Sequence, residues 1–319
     1  MSRLLTAFLG FVFVLTLVLG VVSSTANAGG PLLIGKDGVP RRWSTASPLV
    51  INLDRGALGR IASPFALMEH AVGQWNDVGT AALKVQIGEP LSSDVEGLSE
   101  SQFDSLITKD DGTNPVIFDS TGEIFASIYG ARSGVVGVAG PSLVMSSNGT
   151  IVKGFAMFNG ADATDDSAEV IKAAFTHELG HMLNLEHAQI NGSRIGTAIP
   201  GFDGVVNVSQ VETMFPVLVQ SAAKPHPMAT LHMDDAAAFA ALYPAGSFAS
   251  STASITGLVL DIDGQTHIQG VNVIARSVSR PFDDAVSYVS GLLFDPASPS
   301  VPPALRGASE LRGLTPHET

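Results

Sequence analysis

The run His177-Glu178-Leu179-Gly180-His181, followed by His187, constrains this chain more than any other stretch of it. Residues four apart share one helix face, so His177 and His181 can present imidazole nitrogens to a single point. Glu178 is turned by about 100° from His177 around the helix axis and reaches a water beside that point without competing as a ligand. Standing alone, the two histidines read equally well as solvated residues on a helix surface. The third histidine, ten residues after the first, weighs against that reading. A straight helix would carry His187 out of reach, so the chain is expected to stop and turn near Asn184. Asparagine tolerates the left-handed conformation that ends helices. Three histidines on one zinc ion leave a fourth position open for water, the arrangement of a catalytic site.

Composition narrows the chemistry. The chain has no cysteine, so any transition-metal site must use histidine and carboxylate ligands. A formal net charge of −13 argues against nucleic acid or an anionic membrane surface as the main partner. With 319 residues, 45% of them hydrophobic, there is ample material for one full-sized domain and a smaller one. Arg3, the apolar run Leu4 to Val22 and the small-x-small site Ala26-Asn27-Ala28 predict a signal peptide over residues 1–28. The expected product is secreted, extracellular or periplasmic, begins at Gly29 and has no membrane contact. An uncleaved anchor is the competing reading.

Leu49 to Leu53 reads as a strand, and Phe65, Met68, Ala71, Val72 and Trp75 recur at helical spacing between Pro64 and Asp77. Leu83 to Ile87 alternates as a half-buried strand, residues 88–114 read as a polar surface excursion, and Val116 to Phe118 is a further short strand. Gly130 to Gly140 reads as an irregular loop, followed by strands around Ser142–Ser146 and Ile151–Phe158. The second of these is expected to be the exposed edge on which an extended peptide pairs. Asp166 with Glu169 has the spacing of a capping box, opening the motif helix near residue 167. Another helix is expected from Met233 to Leu242. His70, His226, His232, His267 and His317 read as surface residues.

The motif resembles the metzincin clan of zinc peptidases, and its matrixin family in particular. The clan pattern H-E-x-x-H-x-x-G-x-x-H is met with one departure, Asn184 at the glycine. Thr213-Met214-Phe215-Pro216 is similar to the matrixin methionine turn, and Leu231-His232-Met233-Asp234-Asp235 with Leu242-Tyr243 resembles the family's C-terminal helix. The resemblance spans about residues 40–244. It implies an α+β fold with a twisted mixed sheet, an active-site helix, a methionine turn at Met214 and a C-terminal helix. It also implies one catalytic zinc held by His177, His181 and His187, with Glu178 as base, protein or peptide substrates, and a specificity pocket lined by Pro216, Val217 and Leu218. The animal family's latency cysteine has no counterpart here. Calcium ligation by Asp119, Glu123, Asp162 or Asp165 stays open beside their reading as solvated turn acids.

The expected division is residues 1–28 as signal, 29–244 as the matrixin-like domain, 245–253 as a small, polar linker, and 254–319 as a short, incomplete β-sandwich module. Within that module Leu258–Leu260 and Val271–Ile274 are expected to pair as a hairpin about a turn at 261–264. It resembles the opening of carboxypeptidase-regulatory-like, or transthyretin-like, modules, and Leu311 to Pro316 looks like a strand without partners. The linker implies that this segment is dispensable for chemistry. The alternative class is a secreted binding or adhesion protein carrying a non-catalytic metal site.

Overall fold

The computed structural model describes residues 29–290, apart from 36–38, 62, 131–134, 146, 162, 164–167, 189, 193, 196–206, 220, 222 and 269. The predicted signal segment, Asp162, Asp165, Asp166, His317 and the run Leu311 to Pro316 lie outside the described residues. Among the described residues no helix is long and apolar enough to cross a membrane.

The fold is mixed α/β around a mainly parallel sheet. Its strands are β1 (Arg42–Trp43), β2 (Leu49–Leu53), β3 (Val85–Ile87), β4 (Pro115–Asp119), β5 (Gly137–Val144) and β6 (Thr150–Asn159). They lie in the order β3-β2-β4-β6-β5, all parallel except β5. Ile151 pairs with Trp43 on one side and Val144 on the other, so β1 joins β6 on the side away from β5. β6 is therefore an inner strand, and the expected exposed edge at Ile151–Phe158 is corrected. The edges of that order are β3 and β5, and β5, laid along β6, has no second strand partner among the described residues. Its Gly137 to Gly140, expected as irregular loop, is strand.

Period-two alternation distributes the helices over both faces. Val116 and Phe118 of β4 join the main core with α1 (Phe65–Asn76) and α4 (Ala168–Met182), whose Met68, Trp75, Phe175 and Leu179 are buried there. Ile117, between them, faces a second cluster with Phe103 and Ile107 of α2 (Glu100–Thr108) and with Ile124 and Phe125 of α3 (Glu123–Tyr129). A strand buried on both sides reads as an unbroken apolar run, which is how Val116-Ile117-Phe118 reads. α2 occupies what was expected to be a polar excursion. It opens on a capping box in which Gln102 N donates to Ser99 Oγ and Ser99 N donates to Gln102 Oε1.

α5 (Met233–Leu242) falls where the sequence places it, and α6 (Phe248–Ser251) forms inside the expected linker. The C-terminal hairpin differs from expectation. β7 (Asn272–Arg276) pairs antiparallel with β8 (Ala285–Val289), not with Leu258–Leu260. The turn at 261–264 closes only a small bridge between Leu260 and His267. The hairpin is also not detached. Ser287 N and Oγ both donate to the buried Asp234 carboxylate on α5, and Val289 is buried against Ile34.

Candidate metal centre

α4 carries His177 and His181, and the turn that returns His187 to them is built around Asn184. The helix closes with Asn184 N donating to His181 O and Leu185 N to Gly180 O, while Asn184 sits at φ 70°. Asparagine does more here than tolerate that φ. Its side chain is fully buried, Oδ1 accepting from Leu33 N at 2.7 Å and Nδ2 donating to Leu33 O at 3.1 Å and Arg41 O at 2.6 Å. Glu186 N donates to Gly30 O, so Gly30, Leu33 and Arg41 brace the turn between the second and third histidines.

The three rings converge through their Nε2 atoms. His181 Nε2 lies 3.1 Å from His177 Nε2 and 3.1 Å from His187 Nε2. The opposite nitrogens are committed elsewhere: His177 Nδ1 donates to Thr213 O at 2.7 Å, and His181 Nδ1 donates to Leu185 O at 2.8 Å. His187 Nδ1 lies 3.4 Å from Glu186 Oε1. Those tautomers leave lone pairs on the converging Nε2 atoms, and facing lone pairs repel unless a cation lies between them. Ligand nitrogens about 2.05 Å from a tetrahedral ion stand roughly 3.3 Å apart, close to the separations seen. Burial lowers His177 to about 3 and His181 to about 4, with repulsion from His181 adding to the effect on His177. His187 is lowered by burial and by both neighbours. Neutral imidazole is the form that binds metal.

Glu178 is buried beside this point, and burial pushes its carboxyl up to about 8. A dication at the histidine centre would pull it back down. The wall opposite is Gly137 of edge strand β5, where a Cβ would stand 2.7 Å from Glu178 Cγ and 3.0 Å from Oε1. Glycine at this point lets the edge strand run against the carboxylate. Tyr129, at the end of α3, is raised by burial and by the Glu178 charge.

Met214 lies beneath the helix, 1% exposed. A side chain at Gly180 would collide with Met214 Sδ and come within 2.8 Å of Trp75 Cζ2, so the glycine admits both. Asp235 holds the turn, accepting from Thr213 N at 3.0 Å and Met214 N at 2.9 Å, and Met214 O in turn accepts from Ala188 N. Of Pro216, Val217 and Leu218, Val217 is 56% exposed, while Leu218 packs with Phe215 on a small cluster of Ala173, Val211, Val219 and Met228.

Among the described residues only His177, His181 and His187 gather as a metal-binding group. Asp119 caps α3, accepting from Phe125 N at 2.8 Å, and Glu123 is exposed. His226 is corrected from surface to core: it is fully buried, its Nε2 donating to Val219 O and its Nδ1 accepting from Met228 N. Sequence reasoning missed Gly137 and the carbonyls of Thr213 and Leu185. The carbonyls leave no trace in residue identity, whereas the Asp234-Asp235 pair stood in plain view without its role. No protein-family model matches the chain, and a search of curated proteins finds no similar sequence.

Proposed function

We propose that the chain is a zinc-dependent hydrolase of peptide bonds, and more narrowly an exported endopeptidase of metzincin build, resembling the matrixins. The observation that carries this reading is the convergence of three neutral imidazole Nε2 atoms with a buried glutamate beside them. Zinc held there would supply Lewis acidity toward a carbonyl and lower the pKa of water at its open position. Glu178 takes the proton of the attacking water and passes it to the leaving amine. Thr213 O and Leu185 O fix the tautomers and ring orientations of His177 and His181. The free edge of β5 runs past Glu178 and offers backbone groups to an extended peptide. Pro216, Val217 and Leu218, next to the methionine turn, line the pocket on the leaving-group side.

The test combines metal analysis with digestion of an unstructured protein such as casein, with and without a chelator. The parent chain is expected to hold about one zinc and to lose turnover when it is removed. Glu178→Gln should keep the zinc and lose on the order of 10²–10⁴ in rate. His181→Ala should lose both. A Glu178→Gln chain that cleaves as fast as the parent overturns the mechanism and favours a binding protein with a non-catalytic metal.

A further inference from the structure

The segment after His187 is gripped on both sides by polar side chains from other parts of the chain. On the inner side the buried Glu212 carboxylate accepts from Ile190 N at 2.6 Å and from Asn191 N at 3.3 Å. On the outer side Arg276 of β7 donates through Nη2 to Ile190 O at 2.5 Å and through Nη1 to Asn191 Oδ1 at 2.8 Å. One short stretch of backbone thus has its N–H groups aimed at a buried carboxyl group and a carbonyl aimed at a cation. Hydrogen bonds to ionised groups are the stronger kind. Arg276 is held in turn by Pro281 O, and Asn191 Nδ2 donates to Phe282 O at 2.9 Å. The Arg194 guanidinium lies 3.6 Å over the Phe282 ring. Ala188, next to His187, donates its own N–H to Met214 O, so the methionine turn and Arg276 hold the chain at two points close after the third histidine.

We propose that the β7–β8 hairpin is a working part of the metal centre, with Arg276 as the positioning residue that holds the His187 segment in place. The proposal rests on the three histidines binding a metal, and it assigns residues 270–290 to the unit they had been expected to leave unaffected. Both terminal guanidinium nitrogens, Nη1 and Nη2, reach residues three and four positions beyond His187.

The test uses the chain with its hairpin intact and compares Arg276→Ala and Arg276→Lys with the parent. The readouts are zinc affinity by chelator competition and the visible absorption of the cobalt(II)-loaded protein, which reports ligand geometry. Arg276→Ala should bind zinc about tenfold more weakly, the low end of the effect of losing a support behind a metal ligand, and should alter the cobalt spectrum. Lysine keeps the charge but not the two-pronged donor and should fall between. If the alanine variant does not fold, the lysine variant decides alone, by the same two readouts. A lower melting temperature with unchanged zinc affinity and an unchanged cobalt spectrum would show an ordinary structural contact and overturn the proposal. Neither readout involves turnover, so a parent chain that binds zinc without cleaving protein sinks the peptidase reading alone.

Discussion

Asn184 shows what a single side chain adds at a place where glycine would satisfy the backbone. At φ 70° a glycine is unstrained, and asparagine costs about 1 kcal/mol more. Against that stand three buried hydrogen bonds to Leu33 and Arg41, each contributing about 1 kcal/mol net. Asn184→Gly is therefore expected to destabilise the metal-free chain by about 2 kcal/mol, although it restores the usual residue of the motif. Denaturant titration reads this directly, and a variant as stable as the parent would show that the amide contributes nothing. The turn itself was legible, because the spacing of His187 demands it. The amide's partners were not, because nothing in the sequence marks residues 33 and 41 as neighbours of 184.

At the scale of elements, the position of Glu178 depends on an edge strand that carries no side chain where it passes the glutamate. Gly137→Ala would put a methyl 2.7 Å from Glu178 Cγ, so the carboxylate must shift. A shift of that order should lower the rate about 10–100-fold while leaving zinc content unchanged. Activity and metal measured on the same preparation separate this from loss of the site. Helix α1 was legible from its apolar period, β2 and β4 from short apolar runs, α4 from the histidine motif and α5 from its alanine-rich stretch. α2 was hidden because only Phe103 and Ile107 are buried, with Leu106 half-buried beside them and the rest of it polar, although Ser99 and Gln102 announced its start. The edge was misplaced because β6, a longer apolar run, is covered on both sides, while β5 is rich in glycine. Pairing of β7 with β8 was hidden for another reason: alternating runs are interchangeable until the turn between them is known.

The whole molecule carries its buried charge unevenly, and stability should follow pH accordingly. Burial pushes Glu212 up to about 8 and Asp234 up to about 7, with repulsion among neighbouring carboxylates adding to both. A carboxyl that holds its proton more tightly folded than unfolded stabilises the fold below its unfolded pKa. That contribution is lost as pH rises through the folded value, here between about pH 4 and 8. The histidines run the other way: with lowered values they favour the fold above about 6.5 and withdraw that support as pH falls toward 4 and 3. Glu212→Gln should flatten the decline of the metal-free melting temperature between about pH 5 and 8. Melts across that range that run parallel to the parent's would refute the assignment to Glu212. A chain ending near residue 248 removes Ser287 from Asp234 and Arg276 from Ile190, leaving a buried carboxylate and buried polar groups unpaired. It should be recovered insoluble or with weakened zinc binding, where a free-standing module would have left both untouched.

The brace on the third histidine also sets a timetable. Leu33 and Asn184 stand 151 residues apart, and Arg276 follows Asn191 by 85. A chain made from its N-terminus carries the first half of the brace from the start, yet has nothing for it to hold until the motif has emerged. The outer grip comes later still, once Arg276 has been added. A nascent chain thus possesses all three histidines well before it possesses the means to keep them in register.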